Sequence, residues 1–267
     1  MARPLRGYPH STLLYLHRGL ICALFLLGAL LGLLVASRDP EGAVHGSLLL
    51  PGLIGGVLAI SAACVVLVMR IGRELRERYR FVIPVSKSPL PGCLVRPATA
   101  ADYDSCEAIY RLNEPGHFPD GYFDRYSKSL REGRNLVLVI ETDGQIRACG
   151  AVARYANAQR VVLAYGMVHP AFQKKQFGTT LLLARLAALP EPSDRWAILM
   201  STVGGSHTFF ERFGFDRLGS FPHEGGRAFD WYCSWLYRRD WEDCRSELAK
   251  SSIELRLAGA VVPETAA

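Results

Sequence analysis

The pattern of hydrophobic positions divides the chain near residue 90. Before that point, two uncharged runs stand out, 19–37 and 46–69, and neither carries a polar face. At 1.5 Å per residue, helices over these runs would be roughly 28 and 36 Å long, enough to cross a hydrocarbon core of about 30 Å. The pattern therefore predicts a two-helix transmembrane hairpin within an N-terminal membrane anchor, residues 1–81.

From residue 94 onwards, short apolar runs alternate with amphipathic segments. Strands are predicted at 94–97, 135–141, 146–155, 160–168, 196–202, 215–219 and 227–236, and helices at 100–112, 123–130, 179–188 and 206–213. Asp143-Gly144 predicts a hairpin turn, and Gly214 predicts a helix end with left-handed backbone. The order predicts an α/β (α+β) domain over 94–240, in which helices flank a mixed sheet.

The segments on either side of this domain differ in composition. Proline and glycine between residues 82 and 93 predict either a linker to the anchor or the entry to the next domain. Residues 241–267 are interpreted as a C-terminal tail, with a peripheral helix followed by a disordered end.

Positive charge is concentrated beside the two apolar runs. Residues 1–80 hold nine Arg and four acidic residues, a balance of +5, whereas the rest holds 22 Lys or Arg and 21 acidic residues, a balance of +1. The C-terminal part therefore lacks the basic excess of a nucleic-acid-binding surface.

The same arginines predict the orientation of the chain. By the positive-inside rule, we expect a multi-pass protein of the inner (cytoplasmic) membrane, with both termini and the C-terminal domain in the cytoplasm. The arginines after the second run can also meet anionic membrane lipid. A cleaved signal peptide over 1–37 is an alternative interpretation of the first run.

Cysteine and histidine are scattered, with seven of each and no CxxC pair. This spacing is typical of reduced thiols and predicts neither a disulfide framework nor a structural metal. The oligomeric state is left open by the sequence.

Residues 162–182, VLAYGMVHPAFQKKQFGTTLL, combine a predicted strand, a polar turn and a predicted helix. The first N–H groups of a helix lack intrahelical partners, and the helix dipole favours negative charge there. Lys174 and Lys175 add positive charge. The segment therefore predicts an anion site that suits a pyrophosphate. An ordinary strand–loop–helix crossover with solvated lysines is the alternative.

Two motifs make residues 94–236 resemble the GNAT acyltransferase superfamily. The run from Gln173 to Gly178, QKKQFG, is similar to the family's Q/R-x-x-G-x-G/A acetyl-CoA loop. Residues 209–215, FFERFGF, are similar to the F-Y-x-x-x-G-F run that ends the family's last core helix. The resemblance implies a GNAT-like mixed sheet and direct transfer of an acyl group from CoA to an amine, aided by a base acting through water.

The resemblance also implies which residues bind acetyl-CoA, the acyl donor. Met167 and Val168 would offer backbone groups to pantetheine, and the Thr179 hydroxyl would lie at the helix start. The pyrophosphate would meet the loop residues Gln173, Lys174, Lys175, Gln176, Phe177 and Gly178.

The sequence departs from the family motifs at two positions. Gln176 replaces the first glycine of the loop. Its backbone N–H can still donate to a phosphate if its φ is negative. Phe210 replaces the tyrosine that often protonates the departing thiolate. Tyr232 is a candidate replacement for that acid.

Candidates for the catalytic base are Glu141 and Tyr165, with His169 and His207 as further candidates. The first hypothesis is a membrane-anchored N-acyltransferase that acts on an unidentified amine acceptor at the cytoplasmic side. The second is a catalytically weak or inactive CoA-binding sensor or interaction module at the membrane. A third makes the two helices a partner-binding element of a membrane assembly.

Overall fold

The computed structural model describes residues 19, 21, 49–85, 88–118, 121–155, 159–202, 206–222 and 228–265. The chain divides into two compact units, Met1–Arg78 and Tyr79–Ala267. The first unit contains helix α1 (Leu49–Arg78). Within the described residues, no helix is both long and apolar enough to cross a membrane. The first predicted helix, 19–37, lies almost wholly outside the described residues, and the second, 46–69, overlaps α1.

Nine strands of the second unit form one mixed sheet among the described residues. They are β1 (Leu94–Pro97), β2 (Leu136–Thr142), β3 (Gln145–Tyr155), β4 (Arg160–Val168), β5 (Arg195–Thr202), β6 (Asp216–Pro222), β7 (Ala228–Tyr237), β8 (Glu254–Leu255) and β9 (Glu264–Thr265). The order is β6-β7-β5-β4-β3-β2-β1-β8, and β9 pairs with β3. β4 runs parallel to β5, β8 to β1 and β9 to β3, while the other neighbours are antiparallel. The predicted mixed sheet is confirmed.

Local sequence explains the central hairpin of this sheet. β2 is rich in Val, Leu and Ile, and its central residues are buried, as expected for a strand covered on both faces. Asp143 and Gly144 both have positive φ, 53° and 67°, which is the backbone of the tight turn that joins twisted antiparallel strands. The predicted hairpin turn is confirmed.

Helices cover both faces of the sheet. They are α2 (Tyr103–His117), α3 (Tyr122–Arg131), α4 (Phe177–Ala187), α5 (His207–Glu211) and α6 (Arg238–Lys250). α2 and α3 pack on one face, where Tyr110 and Tyr126 meet Met167 of β4. α4 packs on the other face together with α6, and ten of its eleven residues are buried. α4 is therefore the central helix of the larger core.

Residues 82–93, predicted as a linker or a domain entry, lie within the second compact unit, Tyr79–Ala267. Just before this segment, Phe81 is fully buried, stacks on Phe213 at 6.0 Å and donates its N–H to the Trp235 carbonyl. Within it, the Leu90 N–H donates to Thr180 Oγ1 at 2.7 Å. Apolar side chains between the prolines and glycine anchor the segment to the core.

Residues 241–267, predicted as a tail with a peripheral helix, contain a helix and two short strands where they are described. α6 begins at Arg238, and Leu248 and Ile253 are buried in the core. Beyond them, β8 and β9 extend the sheet. These strands are two residues long, so the sequence offers no periodicity by which to predict them.

Two helix boundaries differ from the prediction. The helix predicted at 100–112 starts as a 3-10 turn, Ala100–Asp102, and continues as α2 to His117. The Thr99 N–H donates to the Asp102 carboxylate at 2.7 Å, which caps this entry. The helix predicted from residue 179 begins two residues earlier, at Phe177, and ends at Ala187.

Candidate functional site

β4 and β5 separate from each other at the centre of the sheet. Their parallel pairing ends at Leu163 and Met200. β4 continues to Val168 beside β3, and β5 continues to Thr202 beside β7, with no further pairing between them in these described strands. Two strands that diverge in this way leave a wedge-shaped gap in the sheet, called here the β4–β5 gap.

A bulge in β4 bends the strand where the gap opens. Cys149 of β3 is opposite Met167, and Ala151 is opposite Ala164, so Tyr165 and Gly166 together face the single residue Gly150. Tyr165 has a φ of +50°, which is unusual for a residue with a side chain. Bulges re-aim side chains and end strand pairing, and this one directs β4 away from β5.

The polar loop leads from the end of β4 to the N-terminus of α4. After a 3-10 turn, Pro170–Phe172, the chain passes through two residues with left-handed backbone, Lys174 and Gln176, at φ values of +61° and +69°. Gln176 is the residue that precedes the first turn of α4. The condition that φ of Gln176 is negative is therefore not met, and glutamine adopts a conformation suited to glycine.

Left-handed residues next to a helix start turn successive N–H groups towards one side, and such concavities bind anions. Phe177 and Thr179 are buried, at 4% and 3% exposure. The Phe177 side chain therefore packs in the core and leaves only backbone for a ligand. Gly178 is half-buried, and the other loop residues, Gln173, Lys174, Lys175 and Gln176, are exposed.

Cationic side chains surround the start of this loop. The Arg147 guanidinium lies 4.2 Å from the centre of the Phe172 ring, and Lys175 Nζ lies 5.2 Å from the same ring. The Nε of Arg147 is buried and has no hydrogen-bond partner. A buried donor without a partner is costly. The Arg147 guanidinium also places positive charge beside the start of the loop.

Asn113 of α2 joins the end of β4 to the loop. Its side chain is buried and donates to the Ile109 carbonyl at 2.8 Å and to the Val168 carbonyl at 3.2 Å. Its amide oxygen accepts a hydrogen bond from Gln173 Nε2 at 3.2 Å. Backbone groups of Met167 and Val168 are predicted to meet pantetheine. The Val168 carbonyl is already bonded to Asn113, and Met167 has its side chain buried on the α2 face.

Aromatic side chains form a wall beside the gap on the α2 and α3 face. Tyr122, at the start of α3, reaches Phe229 of β7, with ring centres 5.9 Å apart. Tyr126 lies 5.0 Å from Tyr165 of the bulge. Arg125 donates to the Tyr122 hydroxyl at 3.2 Å and is exposed. This wall connects α3 with the β7 side of the gap.

The two favoured base candidates occupy different positions. Tyr165 lies at the bulge, where burial raises the pKa of its hydroxyl and the charge of Arg125 opposes that shift. At neutral pH this hydroxyl keeps its proton, which weighs against a role as base. Glu141 lies at the end of β2, where Arg96 donates to it at 2.8 Å. Two strand spacings, roughly 10 Å, separate β2 from β4.

Arg96 joins Glu141 to Asp102 in one ion-pair network. It donates to the Asp102 carboxylate at 2.6 and 2.9 Å, and this guanidinium lowers the pKa of Asp102 to about 2. Glu141 therefore contributes to the packing of β1, β2 and the start of α2. Its role as a catalytic base stays a prediction, and this ion pair weighs against it.

The remaining candidates lie around the same end of the sheet. His169 Nδ1 accepts the Ala171 N–H at 3.2 Å, and His207 is exposed at the start of α5. Tyr232 is 2% exposed within the core. Phe210 packs edge-on against Phe215. The catalytic roles of the two histidines and Tyr232 stay predictions.

Three features of this region have no counterpart in the sequence prediction: the cation at Arg147, the bridge at Asn113 and the glycine pair at the bulge. Arg147 lies in a run with alternating polarity, and Asn113 lies in a segment with no clear period. The pairing of Gly150 with Gly166 depends on strand register. Each needs the tertiary fold to be recognised.

Comparison with known proteins identifies part of this architecture. A family model described as an acetyltransferase (GNAT) domain matches residues 133–217, which extend from just before β2 into β6. The match supports a GNAT acetyltransferase domain in this part of the chain. No curated protein matches the sequence significantly.

Matches to solved structures include three acetyltransferases. An N-acetyltransferase from Staphylococcus aureus Mu50 has 12% identity and a TM-score of 0.43, covering 55% of this chain and 99% of its own. The ribosomal-protein-S18-alanine N-acetyltransferase from Escherichia coli has 12% identity and a TM-score of 0.41. The match covers 54% of this chain and 94% of that structure's chain. An aminoglycoside 6'-N-acetyltransferase complexed with coenzyme A has 11% identity and a TM-score of 0.44. The match covers 53% of this chain and 96% of that structure's chain.

Proposed function

We propose that this protein is a CoA-dependent N-acyltransferase that moves an acetyl or other short acyl group to an amine acceptor. The observation that carries the proposal is the continuity of the β4–β5 gap with the loop and the N-terminus of α4. A long donor with an anionic end can lie in the gap while its phosphates meet N–H groups and cations. The GNAT domain match over residues 133–217 supports this assignment.

The chain's own residues have distinct tasks in this proposal. The loop amides, Lys174, Lys175 and Arg147 attract the pyrophosphate of CoA. Asn113 holds the loop to the end of β4. The aromatic wall shields the acceptor amine from water.

The transfer step follows from the chemistry of a thioester and an amine. The amine nitrogen attacks the carbonyl carbon, the C–S bond breaks, and its electron pair leaves on sulfur as a thiolate. The proton of the attacking amine goes to a base or to water.

Turnover with an amine panel tests this proposal. The full chain in detergent is mixed with acetyl-CoA and amines of different classes, including amino acids, polyamines, peptide N-termini and amine-bearing lipids. We expect thiol release above background hydrolysis with at least one amine. Bound acetyl-CoA with no thiol release for any amine contradicts the enzyme assignment.

A CoA-binding sensor is the second candidate, and Phe210 favours it. Its ring packs on neighbouring aromatic rings and carries no hydroxyl, so the position offers no proton to a leaving thiolate. A sensor needs only the loop and the gap. The same panel distinguishes the two candidates, because a sensor binds acetyl-CoA without consuming it.

We further propose that the N-terminal region anchors the domain at the cytoplasmic face of a membrane. The uncharged runs and the flanking arginines support this. On α1, Leu58, Ile60, Val66 and Met69 are each more than half exposed, and exposed apolar side chains favour a nonaqueous partner. Alkaline carbonate washing of membranes that carry the full chain should leave it in the pellet. Its complete release would contradict the anchor.

A further inference from the structure

Arg185 of α4 is a buried cation without a carboxylate partner among the described residues. The residue is 3% exposed, and its contacts are two long hydrogen bonds to carbonyls, from Nε to Leu181 at 3.4 Å and from Nη1 to Ala151 at 3.5 Å. Burial lowers its pKa to about 10, so the guanidinium stays charged at neutral pH.

Two glycines make room for this guanidinium under the bulge of β4. A Cβ added at Gly166 would lie 3.0 Å from Arg185 Nη2, and one added at Gly150 would lie 3.2 Å from Nη1. These are the residues that face each other across the bulge. A side chain at either position would crowd the guanidinium, which would have to shift by a few tenths of an ångström. The three residues therefore form one unit, called here the Gly–Gly–Arg unit.

Stability alone gives a poor account of the Gly–Gly–Arg unit. Burying a charge without a counter-ion is costly, and replacing buried ionic groups with apolar ones is often neutral or stabilising. The two carbonyl contacts are too long to offset that cost. Gly166 is exposed at the bulge, where β4 and β5 diverge. The charge of Arg185 is therefore separated from the gap only by the backbone of Gly166.

We propose that Arg185 stabilises the negative charge left on the CoA sulfur when the acyl group departs, in place of the hydroxyl that Phe210 lacks. This inference rests on the proposed function. As the C–S bond breaks, its electron pair stays on sulfur, and the cation behind the bulge makes that thiolate a better leaving group. Arg185 donates no proton in this step. A fixed charge in a low-dielectric site acts over several ångströms and needs no reorganisation.

The ionisation of bound CoA tests this directly, with no turnover involved. The ultraviolet absorbance of the thiolate is measured against pH for the complex of the protein with CoA. The absorbance of the protein alone at each pH is subtracted. A free thiol has a pKa of about 8.5, and we expect the bound thiol of the wild type to titrate about one unit lower, because a cation stabilises the thiolate. Arg185→Met should return the bound thiol to the value of free CoA.

Three variants separate charge from structure. Arg185→Lys should keep most of the pKa shift, because it keeps the charge. Arg185→Gln keeps hydrogen-bond donors without the charge and should lose the shift. This variant serves as the test if Arg185→Met does not fold. Arg245→Met is the matched control, since Arg245 also contacts α4, at the Ala187 carbonyl, but is exposed. It should keep the full shift.

The outcomes distinguish this inference from the function on which it rests. Bound CoA whose thiol titrates like free CoA in the wild type overturns the role of Arg185 and leaves CoA binding intact. A full shift in Arg185→Met or Arg185→Gln overturns it equally. Failure of the wild type to bind CoA overturns the proposed function and this inference together.

Discussion

Replacing Gly214 with alanine should destabilise the C-terminal unit by about 4 kcal/mol or more, an unusually large effect for adding one methyl group. Gly214 ends the turn after α5 with a φ of +80°. A Cβ there would lie 2.1 Å from the Arg80 carbonyl oxygen, which is backbone and has no rotamer by which to move. The segment that carries Phe81 into the core would therefore be displaced.

Urea unfolding of the full chain measures this loss, and Gly144→Ala is the matched control. Gly144 also has a positive φ, +67°, but a Cβ there meets nothing within 4 Å. Its alanine variant should lose only about 1 kcal/mol, the backbone cost of a left-handed alanine. Equal losses for the two variants would show that contact with Arg80 plays no part.

Gln176→Pro should weaken CoA binding by about 100-fold, because two features of the loop are lost at once. Proline fixes φ near −65°, whereas Gln176 has +69°, and proline has no N–H to offer a phosphate. Losing one hydrogen bond to a charged group costs about 1.5–3 kcal/mol, and each 1.4 kcal/mol is a factor of ten in affinity.

Gln176→Gly is the control at the same position. Glycine adopts the left-handed backbone without strain and keeps its N–H. Its Kd for CoA by calorimetry should equal or fall below that of the wild type. A proline variant that binds CoA as the wild type does would place the pyrophosphate elsewhere.

The sequence predicts local structure well where one residue type has one physical role. Gly214 and Asp143-Gly144 occupy the left-handed positions expected of them. The strands of the central sheet coincide with the apolar runs. Helices cover both faces of this sheet, and strands buried on both faces consist of nearly continuous hydrophobic residues. The loop motif is likewise found between a strand and a helix, as predicted.

Other parts of the fold and site depend on contacts between distant residues. Arg185 is the single charge in a leucine-rich helix, and its burial follows only from the packing of α4 between the sheet and α6. Glu141 resembles a free carboxylate at a strand end until register places it beside Arg96. The positive φ of Gln176 is a property of the loop as a whole, since glutamine by itself prefers negative φ.

The central claim is that the loop and α4 bind the phosphates of CoA with the rest of the molecule in the gap. Calorimetric titration of the folded full chain in detergent, with CoA as the ligand, tests it most directly. We predict saturable binding of one CoA per chain, which excess inorganic pyrophosphate competes away because it occupies the same N–H groups and cations. The titration is run at two temperatures, because the binding enthalpy can be zero at one of them. No binding heat at either temperature, up to millimolar CoA, would contradict the account.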